Sequence, residues 1–129
     1  MALDGASPQT HEYYRGKGTY TKVISVISEL TKDKEKYGLR VVVGTTLGKS
    51  NYKEVPEIVR LMDKLNVDYW VYGALIPIGR GKFFEEECLT PKELLDCYKL
   101  ILNSSKFAVS YTHLRAHETS LHLVCRLLL

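Results

Sequence analysis

Short β-branched runs alternate with amphipathic helical stripes along this chain, and that alternation constrains the fold more than any other feature. "LRVVVGTT", residues 39–46, lacks clear polar alternation, as a strand covered on both faces does. "VDYWVYGALIPIG" gives a second such run, a strand over about 67–76. Between and around them lie three helical stripes. Val23, Ile24, Ile27 and Leu30 mark a helix over roughly 19–36, stopped by Tyr37 and Gly38. Val55, Ile58, Val59, Met62 and Leu65 mark the next, with Ser50 or Asn51 as its cap and Pro56 in its early turns. In "LTPKELLDCYKLIL", Thr90 is an N-cap, Pro91 takes the first helical position and Glu93 closes a capping box. Its stripe is Leu94, Leu95, Tyr98, Ile101 and Leu102.

With the apolar start of "MALDGASPQTHEYYRGKG" as a further strand running into a loop, the order is strand, helix, three times over, with a period of about thirty residues. Connections of that length force parallel strands, so the class is α/β, either an open doubly wound sheet or a sector of a (β/α) barrel. In both, chemistry collects at the carboxyl ends of the strands. Those ends carry Asp4, Gly5 and Ser7, then Thr45 and Thr46, then Pro77, Gly79 and Arg80.

Composition excludes several classes. At 129 residues and 45% hydrophobic content the chain supports one modest core. Its net charge of +3 is spread without a basic run, which gives no nucleic-acid surface. No stretch of apolar residues is long enough to span a bilayer and no signal peptide is legible, so a cytoplasmic location is expected. Cys88, Cys97 and Cys125 are an odd set without C-x-x-C spacing, the mark of reduced thiols rather than a disulfide framework or a metal site. Cys88 and Cys97 are expected to pack as small apolar groups.

"THLRAHETSLH" gathers His113, His117 and His122 beside Glu118. Histidines at i and i+4 share a helix face and can share a zinc ion, but here the glutamate follows the second histidine, matching neither H-E-x-x-H nor H-x-x-E-H. No metal ligand is assigned on this basis. "VSYTHLRAHET" instead resembles one translated frame of a transposase-based sequencing adapter, and the adapter's second constant stretch reads, in the same frame after a variable gap, as His122 to Leu129. Residues 108–129 are therefore expected to be an artefactual tail rather than a domain.

The motifs "LDGASPQTHEYYRGKGTY", "VVVGTTLGKSNYKEVPEIVRLMDKLNVDYW" and "GALIPIGRGK", in this order, resemble the second half of the radical SAM barrel, in the branch that carries SPASM-type extensions. The resemblance covers about residues 1–103. It implies that residues 1–107 are three consecutive βα units, the fourth to sixth of a (β/α)6 barrel, cut at both ends. The parent would be an enzyme that binds S-adenosylmethionine on a 4Fe–4S cluster and cleaves it reductively to a 5′-deoxyadenosyl radical. Its partners would be an electron donor and a peptide, haem precursor or similar small substrate, with no nucleic acid and no membrane. The cluster loop C-x-x-x-C-x-x-C is not in this chain, so its ligands are expected upstream and the fragment is expected to be inactive.

By the same resemblance, Asp4 and Gly5 match the family's fourth strand, where Ala2 replaces a serine that touches the cofactor. The backbone around Thr45, Thr46 and Leu47 matches the border of the adenosyl group, and Arg80 matches the exit of the sixth strand, facing cofactor or substrate. The residues alone allow plainer roles. Asp4 and Ser7 can hold a turn, Asn51 can cap a helix, and Arg80 can pair with Glu85, Glu86 or Glu87 in a solvated loop. Two other functions stay open: a non-redox aldolase or isomerase barrel using the "GRGK" backbone for phosphate, and a non-catalytic βα adaptor.

Overall fold

In the computed structural model, which describes residues 1–104, the chain is an α/β unit built on parallel pairing. The elements are α1 (Pro8–Arg15), α2 (Thr19–Asp33), β1 (Val42–Leu47), α3 (Val55–Lys64), β2 (Tyr69–Ala74) and α4 (Pro91–Asn103). Tyr52–Glu54 and Gly79–Glu87 are 3-10 segments. β1 and β2 pair in parallel, with Val42 opposite Tyr69 and Leu47 opposite Ala74. The N-terminal residues join the edge of β1: Ala2 forms a parallel bridge with Gly44, fixed by Leu3 N–H to Gly44 O at 2.9 Å and Gly44 N–H to Met1 O at 2.6 Å.

Burial along β1 alternates. Val43, Thr45 and Leu47 are buried with Trp70 and Tyr72 of β2 against Ile27 of α2, Val55, Ile58 and Met62 of α3, and Cys97 and Ile101 of α4. The opposite face is open among the described residues, with Val42 42% exposed. The expected cover on both faces is thus present on one, because the described helices supply apolar stripes to a single side of the sheet.

α3 follows its sequence stripe closely: Val55, Ile58, Val59 and Met62 are all buried and Leu65 packs beside them. α4 starts as its residues dictate, with Thr90 N–H donating to Glu93 Oε2 at 2.8 Å and Glu93 N–H to Thr90 Oγ1 at 3.3 Å. Its buried face is rotated from the expected one, however. Cys97 and Ile101 point inward, while Leu95 and Leu102 are 40% and 63% exposed. The regular part of α2 ends at Asp33, and the turns after it stop at Gly38 as expected. Gly38 is left-handed (φ 63°), its N–H donates to Glu35 O at 3.3 Å and the Leu39 N–H to Lys34 O at 2.7 Å, while the Lys34 side chain bonds Asn66 O at 2.6 Å and Asp68 Oδ1 at 2.9 Å.

The largest difference is α1, which occupies what reads as a loop. Ser7 accepts the Thr10 N–H and Pro8 sits in the first turn, so the start signal is the ordinary one. Its helical stripe is short and polar, which hides it from periodicity. Among the described residues no helix is long and apolar enough to cross a membrane. The tail histidines, Cys125 and the adapter-like stretch lie outside the described residues.

Candidate functional site

The carboxyl ends of the strands are tied into a knot centred on Asp4, which is 1% exposed. Its Oδ1 accepts the Thr46 N–H at 2.7 Å, and its Oδ2 accepts from Arg15 Nε. Its own N–H donates to His11 Nδ1 at 3.0 Å, and its carbonyl accepts from Asn51 Nδ2 at 2.8 Å. Each polar group of Asp4 is therefore engaged by the protein. A buried carboxylate requires this, since an unpaired one is strongly disfavoured.

Asn51 is not the helix cap that its position suggests. Fully buried, it accepts the Gly48 N–H at 2.7 Å and donates to Thr46 O at 2.7 Å as well as to Asp4 O, stitching the N-terminal segment, which forms a single bridge rather than the expected strand, to the end of β1. His11 is buried too. Because its Nδ1 accepts a hydrogen bond, the neutral ring carries its proton on Nε2, which has no partner among the described residues and lies in a ring that meets Tyr20 at a steep angle, centroids 5.9 Å apart. Burial, outweighing the pull of Asp4, holds the imidazole below its usual pKa and so neutral.

Two further contacts fasten α1 over this end. Glu54 accepts from Thr10 Oγ1 at 2.7 Å and from Ala6 N–H at 3.2 Å. Glu87 accepts from Tyr14 Oη at 2.7 Å and from Ser50 N–H at 2.9 Å, so this member of the triple-glutamate run is a buckle rather than a solvated loop residue. Burial works against its charge, but the Tyr14 and Ser50 hydrogen bonds hold its carboxyl below the usual range. The glycines allow the close approach. A Cβ on Gly5 would meet His11 N at 2.5 Å, and one on Gly48 would meet Tyr14 Oη at 2.7 Å.

Above the knot is a cleft of about 320 Å³. Asp4, Thr46 and Arg15 form one side, and Leu75, Arg80 and Phe83 come from the segment after β2. Tyr14 and Phe84 form an aromatic wall, ring centroids 5.4 Å apart. Of the residues singled out in the sequence, the cleft brings together Asp4, Thr46 and Arg80. It does not gather Gly5, which packs under α1, or Thr45, whose hydroxyl is buried between Leu3 O at 2.7 Å and Trp70 Nε1 at 2.8 Å. Leu47 is core, 2% exposed, and its carbonyl accepts the Leu75 N–H. Arg15, Tyr14 and Phe84 also line the cleft, and their sequence context alone does not single them out. The available signal was Arg15 at i+4 from His11 in "HEYYRG", a spacing that puts both on one face once α1 is recognised as a helix.

Arg80 makes no ion pair with Glu85, Glu86 or Glu87 among the described residues. In the "GRGK" segment the Gly81 N–H donates to Ile78 O at 3.0 Å, so that amide is already engaged. The described residues do not fit an iron–sulfur cluster. They contain no group of three or more metal-ligating side chains, and burial pushes the Cys97 thiol up to about 12, which keeps it protonated. Compared with known proteins, the chain matches no family model and no curated protein.

Proposed function

We propose that the chain is the carboxyl-terminal part of a radical SAM barrel, three βα units whose cleft holds part of S-adenosylmethionine and of the substrate. The observation that carries this reading is the convergence of Asp4, Thr46 and Arg80 on one cleft beyond the carboxyl ends of parallel strands, where α/β enzymes bind their ligands. The open sheet face, with Val42, Gly44 and Thr46 away from the helices, suits the interior wall of a larger barrel.

In the parent enzyme, cytoplasmic on this reading, S-adenosylmethionine and a cluster held outside the described residues would supply radical chemistry for a peptide, haem precursor or similar substrate. The residues of this chain bind and orient. Asp4 anchors Arg15, Asn51 fixes the N-terminal segment to the end of β1, and the aromatic wall excludes water from one side of the cleft. The iron ligands would come from other parts of the parent.

Anaerobic reconstitution of the purified chain with iron and sulfide tests this division. Iron well below cluster stoichiometry is expected, together with no cleavage of S-adenosylmethionine under reduction. A stoichiometric 4Fe–4S cluster on these residues would overturn it.

A further inference from the structure

Arg15 and Arg80 reach the same cleft from different elements, one at the end of α1 and the other just past β2. Arg15 spends its Nε on Asp4, its side chain remains 41% exposed, and its terminal nitrogens have no partner among the described residues. Arg80 has no ion-pair partner among them either. Asp4 offsets one of the two positive charges, so the lining carries a single net positive charge. That balance matches a monoanion better than a phosphate dianion. A guanidinium with its terminal nitrogens free presents a planar fork that fits a carboxylate. Beside the arginines stand Tyr14, Phe84 and Leu75, surfaces for a flat or apolar body.

We propose that the cleft takes the carboxylate of an aromatic or similarly flat apolar substrate group, held between Arg15 and Arg80 with its body against Tyr14, Phe84 and Leu75. This rests on the reading of the cleft as the ligand site, and it assigns the arginines to the substrate rather than to the cofactor.

The test is an amide chemical-shift titration of the full chain with benzoate and with its neutral isostere benzamide. Benzoate should shift the Arg15, Thr46, Arg80 and Phe84 amides and bind about tenfold more tightly, the discrimination expected of a charge-assisted contact. In Arg80→Gln, and separately in Arg15→Lys, that preference should shrink several-fold while the circular dichroism spectrum is unchanged. Equal binding of the two probes, shifts confined to another surface, or inorganic phosphate competing as well as benzoate would each overturn the proposal. S-adenosylmethionine, titrated alone and then against benzoate, separates the two readings. Benzoate preference with no shift of the cleft amides by millimolar S-adenosylmethionine leaves the carboxylate site standing without support for the cofactor reading, whereas S-adenosylmethionine shifts at the cleft without benzoate preference remove the carboxylate site alone. Competitive displacement of benzoate by S-adenosylmethionine would overturn the assignment to substrate.

Discussion

The two ends of the sheet use the same device for different purposes. At the amino end, Asp68 accepts the Val41 N–H at 2.8 Å and pairs with Lys34, whose ammonium also donates to Asn66 O. At the carboxyl end, Asp4 accepts the Thr46 N–H and pairs with Arg15. Both carboxylates thus join a backbone amide to a basic side chain across long sequence separations. The amino-end pair is closed, with side chains only 8% and 14% exposed. The carboxyl-end pair leaves Arg15 41% exposed and facing a cleft. A closed pair stabilises, while an open one also presents donors to the cleft; at the amino end the exposed Arg40 approaches Asp68 only to 3.7 Å.

The contrast can be broken most forcefully at Asn51. Asn51→Ala strands the Gly48 N–H and the carbonyls of Asp4 and Thr46 in a buried place, and a loss of about 3 kcal/mol in urea unfolding is expected. Lys34→Met should cost somewhat less, about 2 to 3 kcal/mol, because Asp68 retains the Val41 N–H and slight access to water. Arg15→Gln should cost about 1 to 2 kcal/mol, because the glutamine amide can still donate to the buried Asp4 carboxylate, which also keeps the Thr46 N–H, and it should weaken anion binding in the cleft. If Arg15→Gln destabilised as much as Lys34→Met, the two pairs would not differ in kind. Smallest of all, Glu57→Ala removes an exposed i, i+3 pair with Arg60 and should change stability by roughly 0.3 kcal/mol.

Acid should separate the two ends in order. His11 has a folded pKa below the ordinary 6.5, so the unfolded chain takes the proton first; its contribution is whole above pH 6.5 and declines as pH falls through the folded value. Asp68 follows the carboxylate pattern. Burial opposes its charge, but the Val41 N–H and Lys34 outweigh it and hold the pKa below 3.8, so its contribution persists to lower pH and is lost as pH falls through the folded value. Hydrogen exchange, corrected for intrinsic rates, should show the Asp4 and Thr46 amides losing protection at a higher pH than Val41. In His11→Phe, the first of these losses should no longer follow a histidine titration.

Much of the frame was legible because it depends on local spacing. The stripe of α3 and the capping box of α4 follow from residues within a turn or two of each other. The cap of α1 is equally local, at Ser7 and Pro8, but without an apolar stripe it is easily taken for a turn. The face of α4 was harder, since Leu95 and Leu102 look more apolar than Cys97 and only packing against α3 decides which is buried. The knot was out of reach for a different reason. Asp4 is joined to Thr46 and Asn51 across more than forty residues, and Lys34 to Asp68 across 34, separations that no periodicity encodes. Asp4, Thr46 and Arg80 are legible from their places at strand ends and from the resemblance. Arg15 and Phe84 join them only when α1 and the 3-10 segment fold over the sheet.

The most direct test of the partial-barrel reading is the genomic DNA upstream of the codon for residue 1. A radical SAM barrel predicts, in frame, three preceding βα units with a C-x-x-x-C-x-x-C loop after the first strand. An upstream reading frame that completes a βα barrel without that cysteine triad would contradict it.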